Sequence, residues 1–86
     1  MLVPLYGFLR GDTLGLIVLV QDTDTVADLA AKMQRAAAPR VAPKASAGVY
    51  ARGTRLDPTA TIARAGLAAL DRVVVVPEDG GPEDNV

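Results

Sequence analysis

Residues 2–37 read LVPLYGFLRGDTLGLIVLVQDTDTVADLAAKMQRAA, and their hydrophobic period changes from that of a strand to that of a helix. Two short apolar runs, at residues 2–9 and 13–21, flank the sequence Arg-Gly-Asp at 10–12, which is typical of a turn. This arrangement predicts a β-hairpin. Pro4 cannot donate a ladder hydrogen bond, so we expect it to mark the first residue of its strand.

The end of the same stretch predicts a helix of about thirteen residues. Thr25 and Asp28 have the spacing of a capping box, in which each side chain accepts a hydrogen bond from the backbone N–H of the other. The apolar residues that follow fall on one stripe at helical spacing: Val26, Leu29, Ala30, Met33 and Ala37. Pro39 ends the pattern because proline cannot continue a helix.

The remainder of the chain alternates short strands with turns. Residues 49–52 are a short strand-like run closed by Gly53, residues 55–58 resemble a brief strand entering a turn, and residues 61–67 fit a single helical turn. Residues 71–76 contain four consecutive valines and form the clearest strand. This order of elements predicts an α+β chain with the β-grasp (ubiquitin-like) fold, a mixed sheet of about four to five strands with one main helix packed across it.

A chain of 86 residues has room for one domain. We expect a single ubiquitin-like domain over residues 1–77, followed by a flexible acidic tail at 78–86, where Gly, Pro and acidic residues cannot bury apolar surface. The longest apolar runs fall far short of the ~20 residues that span a bilayer, and no cleavable signal peptide opens the chain. The absence of cysteine excludes disulfides and thiolate metal sites. These features predict a cytoplasmic protein.

The side chains that carry out catalysis are nearly absent. The chain has no histidine and no cysteine, and its single serine, Ser46, has no imidazole to activate it. Asp22 and Asp24 could be imagined as a carboxylate pair or as cation ligands, but their position before the helix explains them as caps. We therefore predict no catalytic residue, no cofactor-binding residue and no metal ligand in this chain.

The charges are segregated along the sequence. Seven cations lie in one block that contains a single carboxylate, Asp57: Lys32, Arg35, Arg40, Lys44, Arg52, Arg55 and Arg64. The whole chain has a net charge of −1, so the remainder is strongly acidic. Such segregation favours a contact surface, with a solvated helix end and basic loop as the alternative. Nucleic acid is a weaker alternative, because the basic residues have little but Tyr50 to stack on bases.

Two further features bear on function. Ile17, Leu19 and one alternation of residues 73–76 should place apolar surface on the sheet face opposite the helix, where it marks either a protein interface or ordinary scattered aliphatics. Gly80-Gly81 invites comparison with ubiquitin-like modifiers and sulfur carriers, which are activated at a terminal Gly-Gly. Here five residues follow Gly81, so that alternative requires processing.

A family resemblance is carried by five segments. They are Arg-Val-Ala-Pro-Lys at 40–44, Gly-Val-Tyr-Ala-Arg at 48–52, Thr-Ile-Ala at 61–63, Gly-Leu at 66–67 and Asp-Arg-Val-Val-Val-Val at 71–76. Together with the opening around Pro4, they resemble the small B, or gamma, subunit of toluene monooxygenase hydroxylases. The resemblance covers roughly residues 2–77.

The resemblance implies a non-catalytic subunit of a bacterial multicomponent diiron monooxygenase, which hydroxylates hydrocarbons such as toluene, phenols or alkenes with electrons from NADH. In that family the diiron centre lies in the large alpha subunit, on which the gamma subunit docks within an alpha-beta-gamma dimer. We therefore expect no cofactor in this chain, and neither nucleic acid nor membrane as a partner. The residues that we predict to contact the large subunit are Arg40, Val41, Pro43, Lys44, Arg52 and Arg55.

Overall fold

The computed structural model describes residues 1–12, 15–38 and 46–78 of the chain. Its elements are β1 (Leu2–Leu9), β2 (Gly15–Gln21), α1 (Val26–Ala37), β3 (Ser46–Ala51), β4 (Thr54–Arg55) and β5 (Arg72–Glu78). The expected tail lies outside the described residues from 79 onward, and β5 includes Glu78, one residue beyond the expected end of the domain. The boundary itself stays a prediction.

The strands form one mixed sheet in the order β2-β1-β5-β3-β4. β1 and β2 are the predicted antiparallel hairpin, and β1 also pairs with β5 in parallel. β5 pairs with β3, and β3 with the two-residue β4, in antiparallel fashion. The prediction of a mixed sheet with a single main helix is confirmed.

The prediction that Pro4 begins its strand is wrong, because Pro4 is the third residue of β1. Pro4 lies opposite Leu19, but the Asp22 N–H donates to the Met1 carbonyl at 2.9 Å, so the odd-numbered residues of β1 are those that bond to β2. The missing N–H of Pro4 therefore points toward β5, whose pairing with β1 starts only at Tyr6. Proline is tolerated here because no ladder bond is lost.

Helix α1 begins with the predicted capping box. The Asp28 N–H donates to Thr25 Oγ1 at 3.1 Å, and the Thr25 N–H donates to Asp28 Oδ2 at 3.0 Å. The donation by Thr25 lowers the pKa of the Asp28 carboxyl. The next two N–H groups of the helix, those of residues 26 and 27, donate to the carbonyls of Ala60 and Pro58. The loop after β4 thus completes the cap.

Residues 61–67 form the single helical turn that was expected. The Ala65 N–H donates to the Thr61 carbonyl at 2.9 Å, and Gly66 ends the turn with a φ of 77°. Ile62 lies fully buried within this turn, and its N–H donates to the Asp24 carbonyl at 2.8 Å. The turn is therefore fixed against the segment that precedes α1.

The core lies between α1 and one face of the sheet. The predicted helical stripe is buried, and so are the inward-facing residues of the strands, among them Leu5, Val18, Val20, Val49, Val73 and Val75. Met33 of α1 passes directly over Gly7 of β1, where an added Cβ would lie 2.6 Å from the Met33 sulfur. Within the described residues, no helix has the length and apolar content that a membrane crossing requires.

Two polar contacts tie the outer strand β2 to its surroundings. Lys32 of α1 donates from Nζ to the Leu19 carbonyl at 2.6 Å. The Gln21 N–H donates to Asp24 Oδ2 at 2.9 Å. Both backbone groups lie on the side of β2 that faces away from β1.

Candidate docking surface

One face of the sheet is not covered by a helix of the described residues, and we call it the open sheet face. It consists of the outward-pointing residues of all five strands, which alternate with the buried ones. These are Leu2, Pro4, Tyr6, Phe8, Gly15, Ile17, Leu19, Gln21, Ser46, Gly48, Tyr50, Arg55, Arg72, Val74, Val76 and Glu78.

The half of the open sheet face on β1 and β2 is apolar. Ile17 is 57% exposed, Leu19 48% and Tyr6 39%, and Tyr6 lies directly opposite Ile17 in the strand register. The rings of Tyr6 and Phe8 pack together with centroids 4.8 Å apart. The predicted apolar surface opposite the helix is confirmed, because these side chains project away from the core.

The half on β5 and β3 contains a pocket of about 770 Å³, which we call the arginine-rimmed pocket. Its lining residues are Arg10, Tyr50, Arg52, Gly53, Asp71, Arg72, Val74 and Val76. Tyr50 and Val74 are neighbours in the strand register, so side chains of adjacent strands form a largely apolar floor. The three arginines supply the cationic rim.

Arg52 reaches the pocket from the tight turn between β3 and β4. Arg52 has a φ of 54° and Gly53 a φ of 78°, and the two residues separate the paired residues Ala51 and Thr54. Positive φ at both central residues is the requirement of a type I′ turn, which matches the twist of a two-residue hairpin. Arg52 Nη1 lies 3.7 Å from Asp71 Oδ2, a long and largely exposed ion pair.

Arg55 is held by the side chains of Glu78 and Tyr50. Its Nη1 donates to Glu78 Oε2 at 2.8 Å and its Nη2 to Glu78 Oε1 at 3.3 Å, and Nη1 also lies 3.3 Å from the Tyr50 hydroxyl. The guanidinium lowers the pKa of Glu78, while the hydrogen bonds to Glu78 and Tyr50 raise the pKa of Arg55. Gly48 leaves the space that the guanidinium occupies, since an added Cβ would lie 2.8 Å from Nη1.

The structure locates only part of the predicted contact set. Arg40, Val41, Pro43 and Lys44 lie outside the described residues. Arg52 and Arg55 both lie at the β3–β4 end of the open sheet face, Arg52 at the pocket rim and Arg55 bound to Glu78. Their role in docking stays a prediction.

The described cations of the basic block are distributed over several elements. Lys32 and Arg35 belong to α1, and Arg64 belongs to the turn at 61–67. Sequence reasoning missed Arg10 and Arg72, which come from the acidic remainder of the chain and reach the pocket because β1 and β5 are parallel neighbours. The alternation of Arg72 with Val74 and Val76 was the available signal.

The open sheet face offers contact area and guanidinium groups. Apolar area bordered by arginine is the composition of protein–protein interfaces. In residues 1–12, 15–38 and 46–78, no three His, Cys, Asp or Glu side chains gather closely enough to hold a metal ion.

Comparison with solved structures identifies similar folds. A chain of the toluene 4-monooxygenase HD complex with the inhibitor 4-bromobenzoate superposes with a TM-score of 0.83 at 26% identity, covering 91% of this chain and 100% of that one. A ubiquitin of Caldiarchaeum subterraneum gives 0.72 at 20% identity, covering 94% and 100%. The ubiquitin-like domain of an Arabidopsis thaliana protein gives 0.66 at 19% identity, covering 86% and 74%. The last two likenesses confirm the ubiquitin-like β-grasp fold.

Sequence comparison identifies the family to which the chain belongs. None of the curated proteins matches the chain. Residues 2–76, however, match the family described as toluene-4-monooxygenase system protein B. The matched range contains every strand of the sheet except the last two residues of β5. Sequence and fold thus agree over the same residues, and the chain belongs to the family of toluene-4-monooxygenase system protein B, a small monooxygenase subunit.

Proposed function

We propose that this chain is the non-catalytic gamma, or B, subunit of a bacterial multicomponent diiron hydrocarbon monooxygenase and that it docks on the large diiron subunit. Membership of the toluene-4-monooxygenase system protein B family supports this role. The observation that carries the docking is the open sheet face, on which Tyr6, Ile17 and Leu19 are exposed opposite the helix.

The physical reason is the cost of apolar surface in water. Contiguous exposed apolar side chains on a small soluble domain usually mark a protein interface, because burying them removes that cost. In this proposal the chain contributes binding surface, the partner contributes the diiron centre, and the assembly is a dimer of alpha, beta and gamma protomers that oxidises toluene, phenols or alkenes.

The direct test is assembly in the presence and absence of this chain. We expect the chain to co-purify with an affinity-tagged large subunit when both are expressed together, and we expect hydroxylase lacking the chain to assemble or turn over less well. If the hydroxylase assembles and turns over equally well without it, the proposal fails.

The segment at 40–44 is proposed as a second contact, on the resemblance of its Arg-Val-Ala-Pro-Lys sequence to the family. Replacing Arg40 and Lys44 by glutamate should weaken co-elution with the large subunit, while circular dichroism of the isolated variant should remain that of wild type. Unchanged co-elution of the double variant would contradict the contact.

The alternative function is that of a ubiquitin-like modifier or sulfur carrier, which the fold also favours. That function requires cleavage after Gly81. Mass spectrometry of the mature chain separates the two, because a terminus or thiocarboxylate at Gly81 supports the alternative and an intact Val86 opposes it.

A further inference from the structure

We propose that the arginine-rimmed pocket receives an apolar segment of the large subunit that is flanked by carboxylates. This inference rests on the proposed function and deepens it, because it assigns the pocket half of the open sheet face to the contact and states the chemistry of what enters it.

The shape of the pocket suits a side-chain anchor. Its floor is formed by Tyr50, Val74 and Val76, which are half-buried and leave a volume of about 770 Å³. A pocket of this size accommodates one or two large side chains of a partner, and such anchored side chains contribute most of the binding energy in protein interfaces. The apolar floor is therefore complementary to an apolar side chain of the partner.

The charge of the rim specifies what surrounds that anchor. No ion pair joins Arg10 or Arg72 to any carboxylate among the described residues, and both side chains are exposed. Among the described residues, the one ion pair of Arg52 is its 3.7 Å contact with Asp71. Within the described part of the chain, three guanidinium groups thus face one carboxylate around the pocket, although the chain as a whole has a net charge of −1. This local excess is complementary to carboxylates.

The position of Arg72 connects the pocket to the apolar half of the face. Its guanidinium carbon lies 5.1 Å from the centre of the Phe8 ring, and Phe8 in turn packs on Tyr6. The cationic rim and the exposed apolar side chains therefore form one continuous surface. A single partner segment can contact both.

Two other occupants fit less well. A small anion would require buried donors that converge on it, whereas Arg10 and Arg72 are exposed at the rim. A second copy of this chain, paired about a two-fold axis through the pocket, would bring the two arginine rims together, and like charges at an interface oppose association. A partner with carboxylates meets neither objection.

The test is competition for a limiting amount of large subunit. Wild-type chain and a variant that differs in mass are co-expressed with tagged large subunit, and their ratio in the purified complex is compared with their ratio in the lysate. We expect the variant Arg10→Glu/Arg72→Glu to be depleted roughly tenfold or more, because each reversed charge repels the carboxylates that it formerly attracted.

The matched control is Arg35→Glu/Arg64→Glu, which makes the same change of net charge at exposed positions of α1 and of the turn at 61–67. It should be incorporated as well as wild type. Thermal unfolding verifies that both variants fold. If Arg10→Glu/Arg72→Glu does not fold, Arg10→Ala/Arg72→Ala replaces it, and we expect a smaller depletion in the same direction.

The outcomes separate this inference from the proposed function. Equal incorporation of wild type and Arg10→Glu/Arg72→Glu overturns the inference and leaves the subunit role standing, whereas failure of the wild type to be incorporated removes both. Two other results would also overturn the inference. The isolated wild-type chain could be dimeric by light scattering, or it could be retained on immobilised DNA. If Arg10→Glu/Arg72→Glu abolishes either behaviour without lowering incorporation, the pocket serves a second copy or a nucleic acid instead.

Discussion

Arg55 connects three strands at the end of the sheet where pairing is shortest. β4 is only two residues long, and its Arg55 reaches across β3 to Glu78 of β5 while also contacting Tyr50 of β3. The pair is bidentate, a geometry that strengthens an arginine–carboxylate contact, although both side chains are partly exposed and salt will screen them. We expect this contact to stabilise the β3–β4 hairpin modestly.

The stabilisation that Glu78 contributes should decrease at acid pH. Because Arg55 lowers the pKa of Glu78 below its ordinary value of 4.5, the stabilisation is complete above about pH 4.5 and is lost as the pH falls through the lowered pKa. Glu78→Gln should therefore lower the melting temperature at pH 7, and its difference from wild type should shrink as the pH falls further below 4.5, as thermal unfolding at several pH values will show. The same substitution should have little effect in an Arg55→Ala background, and an equal effect there would contradict the assignment.

Gly7 leaves the space that the end of the Met33 side chain occupies. A Cβ at position 7 would lie 2.6 Å from the Met33 sulfur and 2.9 Å from its methyl carbon, so the end of this fully buried side chain would have to shift. Gly7→Ala should cost about 1–3 kcal/mol of unfolding free energy, measured by urea denaturation. In a Met33→Ala background the clash is removed and the added cost should nearly vanish, so an equal cost in both backgrounds would contradict this explanation.

At the scale of elements, the start of α1 depends on residues that are distant in sequence. The capping box provides a local acceptor, Thr25 Oγ1, for the N–H of Asp28. The N–H groups of residues 26 and 27 instead donate to the carbonyls of Ala60 and Pro58. Ile62 fixes this loop by inserting fully into the core. The loop between β4 and β5 therefore acts as part of the helix cap.

The local part of this cap can be tested by one substitution. Thr25→Ala removes the oxygen that accepts from the Asp28 N–H and should lower the unfolding free energy by about 1 kcal/mol. Thr23→Ala, at an exposed position two residues earlier, is the matched control and should leave stability unchanged. Equal effects of the two substitutions in urea denaturation would show that the capping box contributes nothing specific.

At the scale of the whole molecule, the acidic end of the chain is expected to be dispensable for folding. Residues 82–86 contain no apolar residue able to pack apart from the terminal valine, so their composition favours solvation. Deleting them should leave the melting temperature of the chain unchanged within error in a thermal unfolding experiment. A marked decrease would show that the segment is docked on the domain.

The limits of sequence reasoning follow from the range of the interactions. Thr25 and Asp28 predict the start of the helix because capping depends on residues close in sequence. The four valines predict β5 because a strand buried on both faces has a continuous apolar run. Pro4 was misplaced because its tolerance depends on where the pairing of β1 with β5 begins, which is set by residues far along the chain. The family resemblance supplied what local patterns could not, and it is confirmed over residues 2–76.

The candidate surface was only half predictable for the same reason. Ile17 and Leu19 could be assigned to the face opposite the helix by alternation alone. The rim of the pocket could not, because Arg10 and Arg72 come together only through a parallel pairing between the two ends of the domain. The clustering of positive charges in the sequence indicated instead the basic block, whose described cations the fold distributes over α1 and the later turns.

The bond from Lys32 to Leu19 has a consequence for the unassembled subunit. β2 is an outermost strand, and an unpaired strand edge invites another chain to add to the sheet, which leads to aggregation. Lys32 occupies the carbonyl of Leu19, and Asp24 occupies the N–H of Gln21, so two groups that an incoming strand would need are already taken. We therefore expect these two side chains to oppose the addition of a strand from another copy at this edge of the unassembled chain.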